Sequence, residues 1–140
     1  MSEQILLVDD NARDRDLALD VLVKSGYPLE VVVVHDGEEA LDYLHSRRDY
    51  RLRRPGLPSL ILLDMKMPKV DGLEVLRHVR RDQELTHIPV VMLSASRQEQ
   101  DILGAYDLKA DGYLIKPFGQ QQLERMLQTA RSAQGRTSHQ

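Results

Sequence analysis

No cysteine occurs among the 140 residues, which excludes disulfides and thiolate-bound metals and leaves the redox compartment open. A basic surplus is missing too: 19 Lys and Arg stand against 22 Asp and Glu, for a net charge of −3. That balance gives no electrostatic case for nucleic-acid or membrane binding. No apolar run approaches the roughly 20 residues of a membrane-spanning helix. The amino terminus, Met1-Ser2-Glu3-Gln4, lacks a basic region, and the first apolar run stops at Asp9 and Asp10. No secretory signal is therefore legible, and a cytoplasmic protein is the expectation. Internal repeats and low-complexity segments are absent. So is a glycine-rich phosphate loop after the first apolar run, where Asp10-Asn11-Ala12-Arg13 stands instead.

What is present is an ordinary globular balance, 41% apolar and 29% charged, at a length that suits one domain with a proper core. Residues 4–133 are expected to form that core, with a polar tail over 134–140. Five short apolar runs recur: Ile5–Val8, Val31–Val34, Leu60–Leu63, Ile88–Leu93 and Tyr113–Ile115. Their shortness, and Pro or Gly punctuation around Leu60–Leu63, favour strands. Near-continuous apolar strands belong to parallel sheets covered on both faces.

Between the runs lie segments with apolar residues at helical spacing. Asn11 is placed to cap a helix running to about Ser25, and Gly26 to end it. Further helices are expected over about 38–46, from Gly72, over about 99–108 and over about 120–133. Residues 47–58 carry five arginines with Pro55 and Pro58, and read as one long charged, solvated connection. The alternation predicts an α/β fold, a doubly wound five-stranded parallel sheet with helices on both faces, flavodoxin-like.

The strand ends carry the chemistry. The first delivers Asp9 and Asp10, the third Asp64, the fourth Ser94 and the fifth Lys116. In a sheet of order 2-1-3-4-5 those strands are neighbours, and their ends meet at the topological switch point where open α/β sheets bind ligands. His35 ends the second, edge strand and lies too far out to join.

Three crowded carboxylates raise one another's pKa unless a cation intervenes. Hard oxygen donors suit Mg²⁺, which accepts one or two carboxylates and phosphate oxygens. Lys116 offers an ammonium and Ser94 a hydroxyl to the same phosphoryl oxygen. Together they make a site for phosphoryl transfer onto a carboxylate, with Asp64 the central nucleophile. Singly each has a plainer role: a helix cap for Asp9 or Asp10, a turn residue at Ser94, a solvated lysine at 116.

Asp9-Asp10, Asp64 with Met67-Pro68 and Asp71-Gly72, Ser94-Ala95 and Lys116-Pro117-Phe118 stand in an order that resembles the receiver domain of two-component response regulators. The likeness spans about residues 4–133, and the 2-1-3-4-5 order is known for that family as well. It implies that Asp64 accepts a phosphoryl group from a sensor histidine kinase. It further implies that Asp9, Asp10, Asp64 and the backbone carbonyl of Lys66 hold Mg²⁺, and that Ser94 and Tyr113 switch together. Lys66 and Ser96 are the candidates for tuning phosphoryl lifetime.

The long second connection and the fourth helix are similar to single-domain regulators paired with bacterial and cyanobacterial phytochrome kinases. A bacteriophytochrome kinase is thus the expected partner, with no DNA-binding output domain in this chain. Ile102, Leu103, Tyr106 and Leu108 exceed what one inward stripe needs, and suggest a homodimer face over the fourth helix, fifth strand and fifth helix. Such a chain is a phosphoacceptor that assists its own phosphorylation and dephosphorylation, not a turnover enzyme.

Three other readings stand beside it. A phosphatase of the haloacid dehalogenase type would need an acid two residues after Asp64, where Lys66 stands. A nucleotide-binding module would need the missing phosphate loop. A receiver-like interaction module that has lost phosphorylation would not need the full set of site residues.

Overall fold

Leu60–Asp64 forms the central strand β3, and all five of its residues are buried. Alternate side chains leave a strand on opposite faces. Ile61 and Leu63 accordingly enter one apolar layer, while Leu60 and Leu62 enter the other. A strand clothed on both sides must be Leu- and Ile-rich throughout, and each such side chain contributes about 1.5–3 kcal/mol by its burial.

The computed structural model describes residues 3–54, 56–105 and 109–138. Around β3 lie β1 (Glu3–Val8), β2 (Leu29–Val34), β4 (Val90–Ser94) and β5 (Gly112–Ile115). The helices are α1 (Ala12–Lys24), α2 (Gly37–Leu44), α3 (Gly72–Arg81), α4 (Arg97–Ala105) and α5 (Gln120–Ser138). The sheet order is β2-β1-β3-β4-β5, and every neighbouring pair is parallel. One core layer takes residues of α2 and α3, the other residues of α1 and α5. The expected α/β architecture is the observed one. No helix among the described residues is long and apolar enough to cross a membrane.

Asn11 is the expected cap, and Asp36 and Asp71 act likewise. Asn11, Asp36 and Asp71 each accept a backbone N–H from the first turn of α1, α2 and α3. Gly26 follows α1 with φ +79°, a left-handed conformation that glycine adopts without steric cost.

Several boundaries differ from expectation. β4 begins at Val90 rather than Ile88, and α5 continues to Ser138, through most of the segment expected as a tail. α4 starts at Arg97, two residues early. β2 is half-buried along most of its length, because an edge strand has only one neighbour to cover it.

The arginine-rich connection is mostly exposed, as expected, but Arg53 and Tyr50 are partly buried. Arg53 donates from Nε to the Tyr43 carbonyl at 2.8 Å, and its guanidinium lies 4.2 Å from the Tyr43 ring centroid. Tyr50, in a short 3₁₀ turn over Arg48–Tyr50, meets Tyr43 edge-on at 5.1 Å and donates its hydroxyl to Glu39 at 2.8 Å. Arg47 and Arg48 both reach Asp42, at 3.4 Å each. Guanidinium stacking on aromatics is favourable at such distances, so the excursion is pinned to α2.

Candidate functional site

The parallel ladder brings the strand ends into line. Leu63 of β3 sits opposite Val8 of β1, so Asp64 and Asp9 follow in step. On the other side Asp64 pairs with Leu93, which puts Ser94 one residue beyond it. Ser94 pairs with Ile115 and accepts the Lys116 N–H at its carbonyl, 2.9 Å. Four neighbouring strands thus present two carboxylates, a hydroxyl and an ammonium at one edge.

Carboxylate oxygens of Asp9, Asp10 and Asp64 lie within 4.8 Å of one another. Asp9 and Asp64 are buried, whereas Asp10 is exposed. Asp9 Oδ1 accepts the Asn11 N–H at 3.0 Å, and the Asp9 carbonyl accepts Arg15 Nη1 at 3.0 Å. It is Asn11, not either aspartate, that caps α1: Asn11 Oδ1 takes the Asp14 N–H at 2.9 Å.

Lys116 enters this group from β5. Its Nζ lies 2.9 Å from Asp14 Oδ2, 3.2 Å from Asp64 Oδ1 and 3.3 Å from Asp9 Oδ2. An ammonium has three donors, and all three find a carboxylate. Burial acts to lower the Lys116 pKa, but the Asp14 hydrogen bond and the charges of Asp64 and Asp9 outweigh it, and the net shift is upward. Lys116 is therefore a fixed positive charge.

Asp64 shows the opposite imbalance. Burial and the neighbouring Asp9 charge push its pKa up to about 7, although Lys116 pulls it down. Three carboxylates share one ammonium here with Asp10 close by, and the central one is the one whose pKa rises. This is the electrostatic signature of a cation site. A hard divalent ion among the oxygens of Asp9, Asp10 and Asp64 would relieve the repulsion, and an all-oxygen donor set fits Mg²⁺ or Mn²⁺ better than softer metals.

Asp14 was not foreseen. On the sequence it is one of several acids in an amphipathic helix, and only its place in the first turn of α1 brings it to Lys116. Glu99 is a second unforeseen participant. It is buried, accepts the Ala95 N–H at 2.9 Å and stands 3.7 Å from Lys66 Nζ. Lys66 is otherwise exposed, so its side chain faces α4 and not the carboxylates.

Of the other expected residues, Ser94 is fully buried and Ser96 is half-buried just before α4. Tyr113 is half-buried and packs against the α2–α3 layer. Ile102 is exposed on α4 and Ile115 on β5. The Leu103 side chain and residues Tyr106 and Leu108 lie outside the described residues. His35 stays apart at the exposed end of β2, beside Glu39.

Gly72 explains how the loop after Asp64 closes. Its N–H bonds the Met65 carbonyl at 2.9 Å. A Cβ there would overlap the Asp64 carbonyl oxygen and come within 2.9 Å of Met65 Cα. Any larger residue would push α3 away from the strand end that carries Asp64.

Residues 5–128 match the family described as the response regulator receiver domain. The chain belongs to that family. This receiver domain is 37% identical over 124 residues to response regulator Rcp1 of Synechocystis, covering 89% of this chain and 83% of that one. Among solved structures it resembles the bacteriophytochrome response regulator AtBRR, with 47% identity, a TM-score of 0.89 and 93% of each chain covered. It also resembles the Mn(2+)-bound form of Rcp1, with 34% identity, a TM-score of 0.73, and 95% and 90% of the chains covered. Response regulators described as those of bacteriophytochromes are thus among the structures this receiver resembles.

Proposed function

We propose that this receiver accepts a phosphoryl group on Asp64 from a phosphohistidine of a sensor histidine kinase and passes the signal on as a change of shape. The observation that carries the reading is the Lys116 ammonium, held between the carboxylates of Asp64, Asp9 and Asp14 at 2.9–3.3 Å. Asp64 is the buried carboxylate at the centre of the group, and its oxygen attacks phosphorus as the histidine nitrogen leaves. Asp9, Asp10 and Asp64, with the backbone carbonyl of Lys66, would hold Mg²⁺. The ion supplies neutralisation of the carboxylates and of the phosphoryl oxygens, which is where catalysis of phosphoryl transfer resides.

The chain's own residues do the rest. Lys116 trades a carboxylate contact for a phosphoryl oxygen, since its three partners lie at nearly equal distance. Asp9 is immobilised by the Asn11 N–H and keeps its place as charge arrives. Ser94, buried beside Asp64, turns its hydroxyl to the phosphoryl group, and Tyr113, two strands from Asp64, repacks as Ser94 moves. Lys66 and Ser96 border this path and set how fast water reaches the acyl phosphate. Relay ends on the face of α4, β5 and α5, where Ile102 and Ile115 are exposed and a second copy of the chain can dock.

The kinase proposed is a bacteriophytochrome, on the likeness to regulators so described. DNA is not a proposed target. The test is phosphotransfer. Radiolabelled phosphoryl on the kinase core of such a phytochrome should move to the parent chain and not to Asp64→Asn. Label that reaches both proteins equally contradicts the assignment.

A further inference from the structure

Far from the notch, the carboxyl ends of α2 and α3 bring two imidazoles and a carboxylate together. His45 is the C-cap of α2, His78 lies in the last turn of α3, and Asp82 is the C-cap of α3. The opposite end of α3 starts at the Asp64 loop, about 14 Å away along the helix. His78 and Asp82 stand four residues apart, one turn along the same side. His45 Nε2 lies 2.8 Å from His78 Nε2 and 3.7 Å from Asp82 Oδ2, and one such atom from each residue lies within 4.8 Å of the other two.

The carboxylate is held in position beforehand. Asp82 Oδ1 accepts the N–H groups of Glu84 and Leu85 at 2.8 and 3.3 Å, and Oδ2 stands toward the imidazoles. A ligand oriented by backbone donors is the arrangement that supports metal binding. The rings are nearly perpendicular, at 84°, and meet edge to face rather than stacking. Two neutral imidazoles can share a single hydrogen bond, but that bond leaves the Asp82 oxygen beyond hydrogen-bond reach of His45.

We propose that His45 Nε2, His78 Nε2 and Asp82 Oδ2 form a second cation site, for a late first-row divalent metal such as zinc. Imidazole and carboxylate together suit Zn²⁺, Co²⁺ or Ni²⁺, whereas Mg²⁺ prefers oxygen alone. Bonds of about 2.0–2.1 Å at tetrahedral angles separate ligand atoms by about 3.3 Å. The imidazoles need to part by about half an ångström and the carboxylate to close by slightly less. His78 and Asp82 also line a cleft on α3, together with Glu74, Arg77 and Arg81. His45 and Asp82 are each 25% exposed, enough for an ion to enter. Burial, then the His45 charge, lowers the His78 pKa, against the raising effect of Asp82. Arg47 adds to this shift, but its own charge is engaged by Asp42 at 3.4 Å.

The test is calorimetric titration of the full chain with Zn²⁺ in excess Mg²⁺, which competes for the acidic notch. One micromolar zinc site is expected in the parent and in the His35→Ala and Asp64→Asn variants, and none in His45→Ala or His78→Ala. His45→Gln and His78→Gln keep a polar group in these partly exposed positions, and must lose zinc while retaining the parent's circular dichroism. X-ray absorption on the zinc complex should show two imidazole nitrogens at about 2.0–2.1 Å. Zinc retained by both histidine variants, lost with Asp64→Asn, or never bound at micromolar concentration overturns the proposal.

Discussion

Asp64→Asn is expected to stabilise the metal-free protein at neutral pH, though it removes the central reactive group. The folded carboxyl titrates at about 7 against an ordinary value of 3.8. A difference of about 3 units at about 1.4 kcal/mol per unit sets a ceiling of about 4 kcal/mol. Solvent at the rim, where Asp10 is exposed, screens part of this, so about 2 kcal/mol is the working figure. Between the two values the folded protein keeps a proton that the unfolded chain has released. Stability therefore falls as pH rises from about 4 through 7, and levels off above. Asp64→Asn abolishes that fall, and Lys116 keeps Asp14 and Asp9 as partners. Urea unfolding in chelator at pH about 5.5 and about 7.5 reads the difference directly. Added Mg²⁺ should stabilise the parent more than the variant, since a ligand that binds only the folded state adds its binding energy. If Asp64→Asn is less stable than the parent at the higher pH, the crowding of carboxylates has been misjudged.

The other expectations concern the same group of residues. Lys116→Met leaves buried carboxylates without a cation and costs about 3 kcal/mol in metal-free protein, read by the same unfolding curves; an unchanged midpoint contradicts it. Asp14→Asn removes one negative neighbour and frees Lys116 for Asp64. The Asp64 titration followed by carboxyl NMR should move down, and an upward move would be inconsistent with the geometry. Gly72→Ala forces α3 away from the Asp64 carbonyl and should cost about 3 kcal/mol or more, seen as a lowered melting temperature. Lys66→Ala should change the decay rate of the phosphorylated form, and an unaltered rate would leave Lys66 a solvated loop lysine.

Legibility differed by element for physical reasons. β3 could be read because a strand buried on both faces has no polar position until it ends, and it ends at Asp64. The start of α1 was equally plain, since Asn11 caps it by a local hydrogen bond. What escaped depends on contacts distant in sequence. Asp14 meets Lys116 across 102 residues, and Glu99 meets Lys66, which stands on a different loop. Arg53 looked solvated because its partner, Tyr43, belongs to another element. Likewise His45 and His78, 33 residues apart, carry no pattern that periodicity could reveal.

The most direct trial of the phosphoacceptor reading is incubation with acetyl phosphate and Mg²⁺, followed by intact mass. A single added phosphoryl on the parent chain, absent without Mg²⁺ and absent in Asp64→Ala, is the expected result. A phosphoryl that persists in Asp64→Ala, or a parent that never gains one, would contradict the assignment of Asp64.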